Sequence, residues 1–135
     1  MKKLYKRLFT VQDVQDNFGY DLVAIANRGG FPSEEAACEA WCDEAALAIH
    51  SLILKNRGAY YASNIYDFVL QKDEQGNLIN EKLYTSLAWA QLYQMLHIIE
   101  NGNADIQSEE KESVKKYSND ALVCLYNAGI LIAGI

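Results

Sequence analysis

The 135 residues are half apolar and 22% charged, with one proline and three cysteines. That is enough chain for one domain with its own core, and it excludes a collagen, a disordered tail, a multidomain enzyme and a disulfide miniprotein. Four of the twelve basic residues (Lys2, Lys3, Lys6, Arg7) lie in the first seven positions, so residues 8–135 set eight basic side chains against eighteen acidic ones.

A body that acidic repels phosphate, which argues against a protein that grips DNA or RNA. Residues 1–8 read as a flexible basic end, because four charges give only weak, salt-sensitive attraction. MKKLYKRLFTVQDV lacks the continuous apolar run of a secretory signal. An odd set of cysteines (Cys38, Cys42, Cys124) then points to reduced thiols in a cytosolic compartment. No stretch reaches the roughly 18 apolar residues of a membrane span. Leu83–Ile99 is uncharged but carries Thr85, Ser86, Gln91, Gln94 and His97, and reads as a buried helix.

In chain order, Thr10-Val-Gln-Asp13 resembles a capping box with Asp in place of Glu, and Gly19 stops the helix that follows. Residues 21–27 fit either a short helix capped by Asp21 or an extended segment. Ser33 suits the N-cap of a long helix with Glu34 and Glu35 in its first turn, where the helix dipole favours them. Ala37, Trp41, Ala45, Ala48, Ile49, Leu52 and Ile53 make one apolar stripe. Lys55 and Arg57 fill the last turn and Gly58 stands at the stop. Residues 59–63 leave room for β structure, and Asn64 is the expected cap of a short helix through Gln71. Lys72–Asn77 is a polar turn.

Asn80 opens a second long helix ending at Asn101-Gly102. It is apolar on nearly all sides, so it must be enclosed, either at the centre of a bundle or against another subunit. Residues 103–116 are polar and charge-dense, which predicts a surface loop. Ser118 caps a last helix to Ala128, Gly129 ends it, and ILIAGI remains. The predicted fold is all-α. Two long antiparallel helices form a bundle with about three shorter ones over residues 9–129, and an extended apolar tail covers 130–135.

The chemistry-bearing residues are sparse. Cys38 and Cys42 lie one turn apart and could give zinc two ligands, but His50 is two turns further on, out of reach of the same ion. His97 lies on the other long helix. Glu34, Glu35, Glu39, Asp43 and Glu44 read as dipole compensation and a solvated face, with no Glu-x-x-His motif beside them. Arg28-Gly-Gly30 lacks the pattern of a phosphate loop. The cysteines and histidines are read as packing residues, with no catalytic, cofactor or metal site. Tyrosine is favoured at interfaces. Tyr60 and Tyr61 after the first long helix, with Trp89, Tyr93 and Leu96 on the second, are therefore the candidate subunit contacts. Ile130, Leu131, Ile132 and Ile135 follow a helix stop and must fold back or dock elsewhere. Docking is the reading taken here, so deletion of 130–135 should spare the helical fold.

Several features of the second half occur in a fixed order. Leu87-Ala-Trp-Ala-Gln-Leu92 runs to Glu100-Asn-Gly102. The polar stretch 103–116 comes next, then Tyr117-Ser118, Ala121-Leu122 with Leu125, and Gly129-Ile-Leu131. This order resembles the head–tail connector (adaptor, or head-completion) proteins of tailed bacteriophages. Phe9-Thr-Val-Gln-Asp13 and Trp41–Leu54 are similar to that family's opening helix and first long helix, whereas Arg28–Pro32 and the paired cysteines depart from it. The resemblance implies a non-enzymatic virion protein made in the host cytoplasm, with no cofactor and no membrane. It implies a ring, dodecameric when assembled, between the portal protein and a tail or stopper protein, with DNA passing through. Ile130, Leu131, Ile132 and Ile135 would then meet the portal. The competing expectation is a small cytosolic metal-binding or protein-interaction module using Cys38 and Cys42.

Overall fold

The computed structural model describes residues 4–30, 33–101 and 116–133. Six helices occur among them and no strand: α1 (Val11–Phe18), α2 (Leu22–Arg28), α3 (Glu34–Arg57), α4 (Ala59–Val69), α5 (Glu81–Glu100) and α6 (Asn119–Asn127). Four of the six are short, one more than the sequence suggests, because the ambiguous segment after Asp21 forms α2. The Asp21 side chain accepts from the Ala24 amide at 3.1 Å and so caps α2.

Three other predicted starts are built as expected. The Thr10 side chain accepts from the Asp13 amide while Asp13 accepts from the Thr10 amide, at 3.2 and 2.8 Å. Ser33 and Ser118 cap α3 and α6 through Ala36 and Ala121. Gly19 closes α1 at φ 76, a left-handed conformation that a side chain would strain.

Helix α4 starts five residues before the expected Asn64. Gly58, at φ 91, serves both helices: its N–H donates to Leu54 O and its carbonyl accepts from the Ala62 amide. Residues 59–63 therefore have no linker to form, and Asn64 lies inside α4, its side chain donating to Tyr60 O. The polar turn is closed by Asp73, which accepts from the Gln75 and Asn77 amides at 2.9 Å each. It leaves one isolated antiparallel bridge, Lys72 to Leu78.

The core falls into two clusters. One joins Ile49, Ile53, Ala62, Ile65, Tyr66, Val69, Leu87 and Ala90 to Ala121, Leu125, Ile130 and Leu131. The other joins Phe9, Val14, Leu22 and Ala26 to Cys38, Trp41, Cys42, Ala45, Leu92 and Met95. Helix α5 belongs to both and packs against α1, α3, α4 and α6. Its own chain buries Leu87, Ala90, Gln91, Leu92, Gln94 and Met95 of α5, while Trp89, Tyr93 and Leu96 stay half-buried. The surface-loop assignment for 103–116 lies outside the described residues except at Lys116. No helix among those described is long and apolar enough to cross a membrane.

Candidate functional site

Two buried glutamines on α5 organise the surface around it. The Gln91 side chain is fully enclosed; its Nε2 donates to Lys6 O at 2.9 Å and its Oε1 accepts from the Leu8 amide at 2.7 Å. One turn along, Gln94 Nε2 donates to Lys116 O at 3.1 Å and Oε1 accepts from the Ser118 amide at 2.9 Å. Asn56 on α3 makes a third clip, donating to Ile132 O and accepting from the Ile132 amide at 2.9 Å each. Each amide spends both its functions on the backbone of a non-helical segment. That satisfies side chain and backbone together, and no buried side-chain polar atom among the described residues lacks a partner.

Residues 4–8, expected as a flexible end, therefore run as a strap over the helices. Lys6 pairs with Asp67 at 3.2 Å. Arg7 pairs with Glu39, and its Nη1 lies 3.8 Å from Asp43. The acidic cluster on α3 thus receives the strap's charge. Replacing Gln91 by Leu removes both strap bonds at nearly constant volume. The expected cost is about 1–3 kcal/mol in urea unfolding, with lost hydrogen-exchange protection at Leu8. An unchanged midpoint would show that the clip contributes nothing.

The candidate docking residues are split by the fold. Ile130 and Leu131 are 0% and 3% exposed and belong to the first core cluster. Their amides both bond to Leu125 O, and Arg57 Nη1 donates to Gly129 O and Ile130 O at 2.9 and 3.2 Å. The reading of residues 130–131 as a free docking end is therefore corrected: Gly129, at φ 75, turns the chain back onto the bundle. Ile132 remains 40% exposed. Ile135 lies outside the described residues.

Among the candidate subunit contacts, Tyr60 is the most exposed at 86%. Tyr61 is half-buried beneath Arg57, whose guanidinium carbon lies 3.9 Å from the ring centroid. Trp89 and Tyr93 have centroids 5.3 Å apart, and Phe18 of α1 lies 6.3 and 5.9 Å from them. Trp89, Tyr93 and Leu96 are each half-buried. The fold gathers Trp89 with Tyr93 and sets Tyr60 and Tyr61 just past the α3–α4 corner.

The thiols and imidazoles do not assemble into a ligand set. Cys38 and Cys42 are buried in the second cluster, and no group of three His, Cys, Asp or Glu suited to a metal occurs among the described residues. Burial pushes the Cys42 thiol up to about 12, and burial also raises Cys38 and Cys124. Because the thiolate is the reacting form, Cys42 should label at least about tenfold more slowly than the half-buried Cys124 with a water-soluble disulfide reagent. Mass mapping of the labelled thiols checks this, and equal rates would contradict the burial argument.

Two cavities flank α5. One of about 280 Å³ is lined by Tyr20, Ile25, Arg28, Trp41, Met95 and Ile98. The other, about 220 Å³, lies among Phe9, Asn17, Tyr84, Trp89 and Leu92. No family model, curated protein or solved structure matches the chain.

The glutamine clips are absent from the sequence reading. A signal for them exists: two amides three residues apart in the uncharged stretch Leu83–Ile99 must find partners where they are buried, and nearby helix backbone is already bonded.

Proposed function

We propose that the chain is a head–tail connector of a tailed bacteriophage, a structural subunit that joins its neighbours in a ring beneath the portal. The carrying observation is the ordered run from Leu87 to Leu131: a long uncharged helix, a polar stretch, Tyr117-Ser118, a short helix and a glycine followed by two buried apolar residues. In this reading the long helices α3 and α5 run antiparallel. The division of the core supports that: Trp41 and Cys42 share a cluster with Met95, while Ile53 shares one with Leu87.

A ring of head-to-tail contacts needs two different faces on each subunit. Exposed Tyr60 past the α3–α4 corner and the half-buried Trp89–Tyr93–Leu96 surface of α5 are the proposed pair. Ile132 and Ile135 stay as candidates for the portal side, without Ile130 and Leu131. The acidic body suits a lumen through which DNA slides.

The test mixes the purified chain with the portal protein encoded in the same genome and reads the products by native mass spectrometry. The expected result is a closed set of subunits on each portal ring, with the chain alone permitted to stay monomeric. A chain that never binds the portal, or that carries stoichiometric zinc lost on Cys38→Ala, contradicts the proposal.

A further inference from the structure

We propose that residues 4–8 form an acid-released strap, latched by the packing of Tyr5 on the buried His50 of α3. Only 7% of His50 meets solvent. Its ring lies with both Tyr5 of the strap and Tyr66 of α4 at centroid distances of 5.7 Å, and its Nδ1 is 3.0 Å from the Tyr66 hydroxyl. The ionisable groups facing it are thus two phenols. Lys6, next to Tyr5, and Asp67, next to Tyr66, are engaged with each other. Along α3 its neighbours Ala46, Ile49 and Ile53 are buried and apolar, and α5 carries no charged residue from Leu83 to Ile99.

Among the described residues no carboxylate therefore stabilises a proton on His50, and burial lowers its pKa. A protonated ring at this position is a cation without a counter-charge. Hydration is its relief, and of the two aromatic covers only Tyr5 belongs to a segment without helical hydrogen bonds. The strap is also held by the Gln91 clip, by Tyr5 and Leu8 packed against the first core cluster, and by surface ion pairs, of which the ion pairs hold weakly. Opening the strap exposes His50 to water while α3, α4 and α5 stay packed.

The direction follows from linkage. The open form takes its proton at the ordinary histidine value of 6.5, the closed form only at lower pH. The latch is at full strength above 6.5 and weakens about tenfold per pH unit below it, until the closed form itself titrates.

Hydrogen exchange at the Leu8 amide, followed by NMR on the full chain and corrected for intrinsic rate, reads the opening directly. Between about pH 7.5 and 5.5 the open population should rise, by at most about tenfold, while α5 amides keep their protection. In His50→Phe, which keeps an aromatic ring but cannot titrate, the rise should vanish. A pH-independent Leu8, a rise that persists in His50→Phe, or simultaneous loss of α5 protection overturns the proposal. Tyr5→Ala, a change in the strap alone, gives a second reading. The His50 pKa, followed by its ring proton resonances, should move up toward 6.5, and an unmoved value means that Tyr5 is not the latch.

Discussion

Deletion of residues 130–135 should cost about 3–6 kcal/mol, enough to unfold much of the population of a domain this small. The estimate comes from Ile130 and Leu131, whose full burial is worth about 1.5–3 kcal/mol each, set against a total stability of about 5–15 kcal/mol. The loss extends beyond those two side chains. The core cluster that holds Ile53, Ala62 and Leu125 would lose two of its members, and Arg57 and Asn56 would lose backbone partners. Ile130→Ala isolates the packing part and should cost about 2–5 kcal/mol. Ile132→Ser, on a residue 40% exposed, should cost under about 1 kcal/mol. Urea midpoints of the four proteins check the series. A truncated chain with the native midpoint would mean that the tail is a free arm after all.

Tyr60→Ala should leave stability within about 0.5 kcal/mol, because the residue is 86% exposed. If the chain is the connector proposed above, its binding to the portal-borne ring should nevertheless weaken by about thirtyfold, the loss typical of an aromatic anchor worth about 2 kcal/mol at the centre of an interface. The pair of measurements separates folding from assembly. Unfolding is followed by circular dichroism, and affinity by titrating the variant onto immobilised portal in competition with the natural chain. Equal affinities would remove Tyr60 from the interface and leave the Trp89–Tyr93 surface as the remaining candidate. Trp89→Ala is a poorer first choice, since its ring also packs on Phe18 and the second core cluster, so a binding loss there mixes with a folding loss.

Much of the helical content was legible because it rests on local chemistry. Thr10, Ser33 and Ser118 each bond to a backbone amide three residues ahead, and such pairs are visible in any window of the chain. Residues 21–27 were ambiguous because seven residues are too few for a period to declare itself, and one capping bond from Asp21 decides the matter. The start of α4 was misplaced for a related reason. Tyr60 and Tyr61 carry strand preference, but Gly58 lets one helix end and the next begin without a linker, and Ile65, Tyr66 and Val69 bury against α3 and α5.

What the sequence could not convey are pairings across distance. Gln91 reaches partners 83 and 85 positions away, and Asn56 one 76 away. No local pattern encodes such matches. The tail shows the same limit from the other side. Four apolar residues after a glycine state that a surface must be covered, yet whether the cover is intramolecular depends on Leu125 O, Asn56 and Arg57 lying within reach. Cys38 and Cys42 lie one helical turn apart and are buried in the cluster that also holds Leu92 and Met95.

Electron microscopy of particles assembled with the gene for this chain silenced addresses the connector role most directly. The account predicts heads that lack tails, with tailed particles restored when the natural chain is supplied. Complete, infectious tailed virions in the silenced preparation would contradict it.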